Sequence, residues 1–133
     1  MQVRGGRGFV EAHNERLKDA RALLREQRWS GAVYLGGYAI ECLLKALIVR
    51  RRGLNLLPRD YWHHDLRRLI ESALFKIERE ERMTEELRGY VQLLCKEWDV
   101  TLRYGERRYN RHSATRLLAC VEVLRQWLLR VLK

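Results

Sequence analysis

Alternation is what this sequence lacks. No segment of the 133 residues alternates apolar and polar side chains convincingly with period two, and no Asn-Gly pair offers a hairpin turn; the usual marks of a β-sheet are missing. Internal repeats and low-complexity stretches are missing too, which excludes a solenoid. Cysteine is scarce: Cys42, Cys95 and Cys120 are odd in number, far apart and each set in an apolar helical pattern. Without the paired spacing of a metal site, they are expected to be reduced core thiols of a cytosolic protein. Neither a secretory signal nor a transmembrane segment is evident, so the expected location is the cytoplasm. Acid is in deficit, with 17 Asp and Glu against 27 Lys and Arg, a formal net charge of +10 and a pI near 10.1. That imbalance argues for an anionic partner, nucleic acid ahead of a membrane surface, because no terminal basic amphipathic anchor stands out. A surface merely coated in arginine is the plainer alternative, since net charge alone defines no site.

What is present is helical periodicity, with a hydrophobic fraction of 47% in a chain long enough to build one core without staples. The stretch from Gly31 to Arg52, GAVYLGGYAIECLLKALIVRRR, is the longest apolar run. Its apolar side chains cover almost every helical azimuth, which predicts a central helix with neighbours on most sides. A membrane span is weakened by Glu41 and Lys45 near the middle of the run. These two stand at i and i+4 with the acid first, the favourable order for an ion pair on one helical face. Gly36 and Gly37 each cost about 1 kcal/mol of helix propensity relative to Ala, which points to the close approach of another helix.

Around this helix the chain reads as one helical domain over 9–133, preceded by a flexible basic tail over 1–8. Val10, His13, Leu17, Ala20 and Leu24 recur at three and four residue spacing and predict a first helix from Phe9 to about Arg28. His13 falls on its apolar side, as a hydrogen-bonded packing residue. Trp29 and Ser30 form a short connection, with Ser30 as N-cap of the central helix. Gly53, Pro58 and Asp60 bracket a loop. His63, His64 and Asp65 invite a metal reading, but adjacent side chains diverge and no third partner has ligand spacing. Helix initiation is the better account, with Asp65 in the first turn and Leu66, Leu69, Ile70, Ala73 and Ile77 as the buried stripe. After the mixed charge run Glu78 to Arg82, Thr84 caps a helix carrying Leu87, Val91, Leu94 and Trp98, which frays near Leu102. Ser113 caps a last helix with Ala114, Leu117, Val121, Leu124, Leu128 and Val131 facing inward. The fold class is therefore all-α, a bundle of about five helices.

One polar segment could carry chemistry. Between the last two helices, RYGERRYNRH sets Arg103, Arg107, Arg108 and Arg111 among Tyr104, Tyr109, Asn110 and His112. Arginine binds phosphate bidentately, tyrosine stacks on bases, and histidine is readily poised as acid or base near neutrality. With RNA, a base can deprotonate the 2′-hydroxyl for attack on the adjacent phosphorus while arginine stabilises the added charge, and that route requires no metal or other cofactor. From local composition alone, a solvated basic hinge with Tyr104 packed on the bundle is the plainer reading.

Tyr34, the YAIECLLKA core at Tyr38 to Ala46 with Glu41 and Lys45, the HDL at His64 to Leu66, and the Arg103-Tyr104 pair follow one another over nearly the whole chain. In that order they resemble the HEPN domains, named for nucleotide binding in higher eukaryotes and prokaryotes. The resemblance implies an up-down helical bundle, usually a homodimer, and in many members an RNase motif of Arg, four to six residues, then His. It would make Arg107 and His112 the catalytic pair of a metal-independent endoribonuclease, with Arg103, Tyr104, Arg108, Tyr109 and Arg111 on the RNA. It also implies a toxin paired with a minimal nucleotidyltransferase protein as partner, or alternatively a noncatalytic subunit that binds RNA, nucleotide or such a partner. The chain departs from the paired toxins at Arg108, where they commonly carry another kind of polar residue, and at Ala114, where they carry a tyrosine.

Overall fold

The computed structural model describes residues 5–74, 83–98 and 109–133. Among these residues five α-helices and no strand occur: α1 (Gly6–Arg25), α2 (Trp29–Arg51), α3 (Leu66–Leu74), α4 (Glu85–Glu97) and α5 (Arg111–Leu132), with a 3-10 turn at Arg59–Tyr61 before α3. The all-α expectation holds. Ile77, the charge run Glu78 to Arg82, and the segment containing Leu102, Arg103, Tyr104, Arg107 and Arg108 lie outside the described residues.

Helix α2 is the centre, and from Ala32 to Val49 it buries residues on nearly every azimuth, including Ala39, Leu43 and Leu47. It is long and apolar enough to cross a membrane, yet 83% of its apolar window is buried inside the fold. Its neighbours explain its glycines. A Cβ built on Gly36 would overlap Leu118 of α5, and one on Gly37 would overlap the Trp98 indole. The close approach expected at the pair is thus made by a helix at Gly36 and by a single indole at Gly37.

Helices α1 and α2 form an antiparallel hairpin: Gly6 lies against Val49, and Gly31 against Leu23. Helix α5 runs parallel to α2 and antiparallel to α1. Leu118 and Val121 meet α2 at Gly36, while Glu122 takes both Arg21 nitrogens at 2.8 and 2.9 Å and Arg125 reaches His13 at 2.9 Å. The N-termini of α2 and α5 therefore share one end of the bundle with the C-terminus of α1.

Several boundaries differ from the sequence expectation. Helix α1 starts at Gly6, so Gly6, Arg7 and Gly8 of the expected tail are helical. The α1–α2 connection is not Trp29 and Ser30 but Glu26 to Arg28: Gln27 adopts φ 61°, its amide bonds to Leu24 O, and that of Arg28 to Leu23 O. This pair of bonds closes α1 in a Schellman motif. Because the turn is so tight, α2 begins at Trp29 with Arg28 as N-cap and no side-chain cap, leaving Ser30 inside the helix. The cap of α5 is Asn110, whose Oδ1 accepts from the Ser113 amide at 2.9 Å while Ser113 Oγ accepts from the Asn110 amide at 3.0 Å. Ser113 is thus the third residue of a reciprocal capping box rather than the cap itself. Asp65 stands one position before α3 and caps it, Oδ1 accepting from the Arg68 amide at 3.2 Å. Thr84 caps α4 through the Leu87 amide at 3.1 Å.

Candidate functional site

The capping box decides how His112 is presented. By fixing the first turn of α5 it sets Arg111 and His112 on exposed positions while Ala114, two residues further, is fully buried. Ala114, where the paired toxins carry a tyrosine, is thus a core position in this chain. The His112 imidazole has no hydrogen-bond partner among the described residues, so the ring is open to an incoming group. Arg116 follows one helical turn later, also exposed, and therefore shares the face of His112.

The strand of chain entering α5 is anchored from the other side. Tyr109 is half-buried, and its hydroxyl donates to Glu97 at 3.3 Å on the backbone oxygen, which ties the start of α5 to the end of α4. Trp98, the residue that ends α4, donates Nε1–H to Tyr34 O at 2.9 Å and stacks on the Tyr34 ring, centroids 5.9 Å apart. His112 is thus carried on a connected frame: α5 to α4 through Tyr109, and α4 to α2 through Trp98. The resemblance places Tyr109 on RNA, yet its hydroxyl is engaged with the protein.

Charge at this end comes from side chains. The positive N-termini of α2 and α5 share this end with the negative C-terminus of α1, so helix dipoles of both signs meet here. Arg25, Arg28 and Arg111 are exposed there, with Glu26 the exposed acid at the α1 terminus. The Arg111 guanidinium lies over the Trp29 ring, 5.7 Å from its centre. Trp29 and Arg116 escaped the sequence reading because both were assigned to helix and connection rather than to a surface. The tertiary fold brings Trp29 beside Arg111, while Arg116 stands by His112 through the i, i+4 geometry of α5.

A second polar cluster lies further along α2. Glu41 is 1% exposed, and its carboxylate accepts from Lys45 Nζ at 3.0 Å and from His64 Nδ1 at 3.0 Å. Both glutamate oxygens are therefore occupied, as a buried charge demands. Nδ1 of His64 is thus committed to Glu41. The neighbouring His63 accepts from the Asp65 amide at 3.1 Å, and burial with the nearby Arg68 and Lys45 charges lowers its pKa. This cluster fastens the start of α3 to α2. The i, i+4 spacing exposed Glu41 and Lys45 in the sequence, while His64, 23 residues away, had no such signal.

Of the predicted site residues, then, Tyr109, Arg111 and His112 stand together at the start of α5, and Glu41 with Lys45 forms a separate buried pair. Arg103, Tyr104, Arg107 and Arg108 lie outside the described residues. Comparison with known families gives one match, to the model described as HEPN domain, over residues 9–132. No curated protein and no solved structure matches the chain significantly.

Proposed function

Because the chain belongs to the HEPN domain family, we propose that it is an endoribonuclease whose catalytic pair is Arg107 and His112. One observation carries this reading: His112 stands exposed in a rigidly capped first turn, separated from Arg107 by four residues in an arginine-rich segment. An exposed imidazole with no hydrogen-bond partner among the described residues is suited to moving protons at a substrate rather than to packing. His112 would exchange a proton with the 2′-hydroxyl or the leaving 5′-oxygen, and Arg107 would stabilise the charge that builds on phosphorus. Arg103, Arg108 and Arg111 would hold flanking phosphates.

In-line cleavage benefits from a base and an acid, and one chain supplies one such histidine. The reading therefore includes a symmetric homodimer in which two segments meet and each contributes Arg107 and His112 to a shared cleft.

Incubating the purified protein with varied RNAs in EDTA tests the proposal. Products ending in 2′,3′-cyclic phosphate are expected, because the 2′-oxygen is the nucleophile and no metal-bound water is used. His112→Ala should slow cleavage by about a hundredfold or more while helicity and RNA affinity change little. If the wild type leaves all RNAs uncut, or His112→Ala cuts as fast, the noncatalytic subunit replaces this reading.

A further inference from the structure

We propose that Trp29 and Arg111 together form a stacking platform for an unpaired RNA base immediately beside His112. The proposal rests on the RNA-binding part of the reading above and names the surface that receives the substrate's base.

Trp29 is the first residue of α2 and Arg111 the first of α5, so the pair bridges two helices that are far apart in sequence. Two other arginine-aromatic pairs, Arg52 with Tyr61 and Arg59 with Trp62, lie in the connection after α2, away from this end of the bundle. Among the described residues, only the Trp29–Arg111 pair adjoins the candidate catalytic histidine. Trp29 is half-buried against the core, which holds the indole in place, whereas Arg111 is exposed. The Arg111 side chain forms no ion pair or hydrogen bond with a described residue, so its donors are uncommitted among them. The capping box formed by Asn110 and Ser113 fixes the backbone on both sides of Arg111.

This arrangement matches what a single-stranded RNA requires. Unstacked bases are received on aromatic rings or on guanidinium planes. A guanidinium lying over a ring keeps its N–H donors, which point outward in its own plane, for a phosphate or a base edge. Exposed Arg25 and Arg28 next to Trp29 supply further positive charge for the backbone on either side of the stacked nucleotide. The class of ligand is therefore a flexible single strand. A duplex, whose bases are stacked on each other, gives the platform nothing to receive.

A structural role alone, pinning the start of α5 to α2, predicts a different result, and abasic RNA separates the two. The measurement is made in the His112→Ala protein, so that substrate persists, with a fluorescein-labelled decamer of adenylate and an abasic decamer of the same backbone. Trp29→Leu retains apolar burial and removes the ring, while Trp29→Phe retains a smaller ring. The expected result is that Trp29→Leu weakens binding of the adenylate decamer about tenfold, leaves the abasic decamer unchanged, and that Trp29→Phe falls between. Thermal melts of each variant check the fold, and a melted Trp29→Leu protein leaves the Trp29→Phe comparison to decide between the two decamers. Equal losses on both decamers, or no loss on either, overturn the platform while leaving the RNA reading intact. Failure of the parent protein to bind the adenylate decamer overturns the RNA reading and the platform with it.

Discussion

The indole of Trp98 occupies the space into which a side chain at Gly37 would project. The indole cannot easily withdraw, because Nε1 is held by Tyr34 O at 2.9 Å and the ring is stacked on Tyr34. Gly37→Ala therefore sets a helix-propensity gain of about 1 kcal/mol against an overpacking cost of about 1–3 kcal/mol with no easy relief. A net loss of stability is expected in urea unfolding. Gly89, helical and exposed with nothing near its missing Cβ, is the control: Gly89→Ala should stabilise by about 0.5–1 kcal/mol. Opposite signs for the two substitutions are the test, and a stabilising Gly37→Ala would contradict the packing described.

The Glu41–Lys45 pair predicts non-additive mutants. Lys45→Met leaves a carboxylate that is 1% exposed with His64 as its remaining hydrogen-bond donor among the described residues, and breaking a buried pair in this way costs about 3–5 kcal/mol. Adding Glu41→Leu removes the stranded charge, and His64, whose side chain is 44% exposed, can turn to water. The double variant should recover at least about 1 kcal/mol over Lys45→Met alone. Additive losses in a double-mutant cycle would mean that the two side chains act independently.

Those two positions also show how much of the molecule was legible from residues alone. Local signals were read directly: the i, i+4 pair, the Thr84 cap, and the apolar run that became α2. What was missed depends on tertiary geometry. Gln27 in a left-handed conformation is no sequence stop signal, since glycine or asparagine usually fills that place, so the end of α1 and start of α2 were displaced. Asn110 caps α5 where the sequence pattern points to Ser113, and only their reciprocal bonds assign the two roles. Gly37 against Trp98, His64 on Glu41, and Arg111 over Trp29 each join residues far apart in sequence, so no window along the chain contains them. The spacing of Arg107 and His112 is local and can be read along the chain, whereas the exposure of His112 is set by the Asn110–Ser113 capping box.

Thiol reactivity should divide the three cysteines. The Cys42 thiol is pushed up to about 12, first by burial and then by the neighbouring Glu41 carboxylate, so near pH 8 only about one molecule in ten thousand carries the reactive thiolate. Cys120 is buried as well, and Cys95 is partly exposed, although burial raises the pKa of both. Titration of the native protein with a disulfide reagent should therefore show one leading thiol, lost in Cys95→Ser, and Cys42 should react only on unfolding. Rapid modification of Cys42 in the folded protein would refute this ordering.

Acid should weaken the α1–α5 contact through His13. This ring is 1% exposed, and its two nitrogens are committed in opposite senses: Nδ1 donates to Val10 O, and Nε2 accepts from Arg125 Nε at 2.9 Å. A second proton would have to enter at Nε2, where it would displace the arginine bond and place two cations in contact. Burial is the main cause that lowers the His13 pKa; the Arg125 charge adds to it, and the Val10 carbonyl works against it. Since the folded value is below the unfolded one of about 6.5, the unfolded chain takes up the proton first as pH falls. The stability from His13 is thus complete above about pH 6.5 and is lost progressively below it until the folded value is passed, with a slope of at most about 1.4 kcal/mol per pH unit for one proton. His63, also lowered, contributes in the same direction, so wild type must be compared with a variant rather than read alone. His13→Gln retains a donor and an acceptor but does not titrate. Urea unfolding between about pH 5 and pH 7.5 should show a steeper acid loss in wild type than in His13→Gln, and parallel curves would show that His13 accepts its proton in the folded protein without penalty.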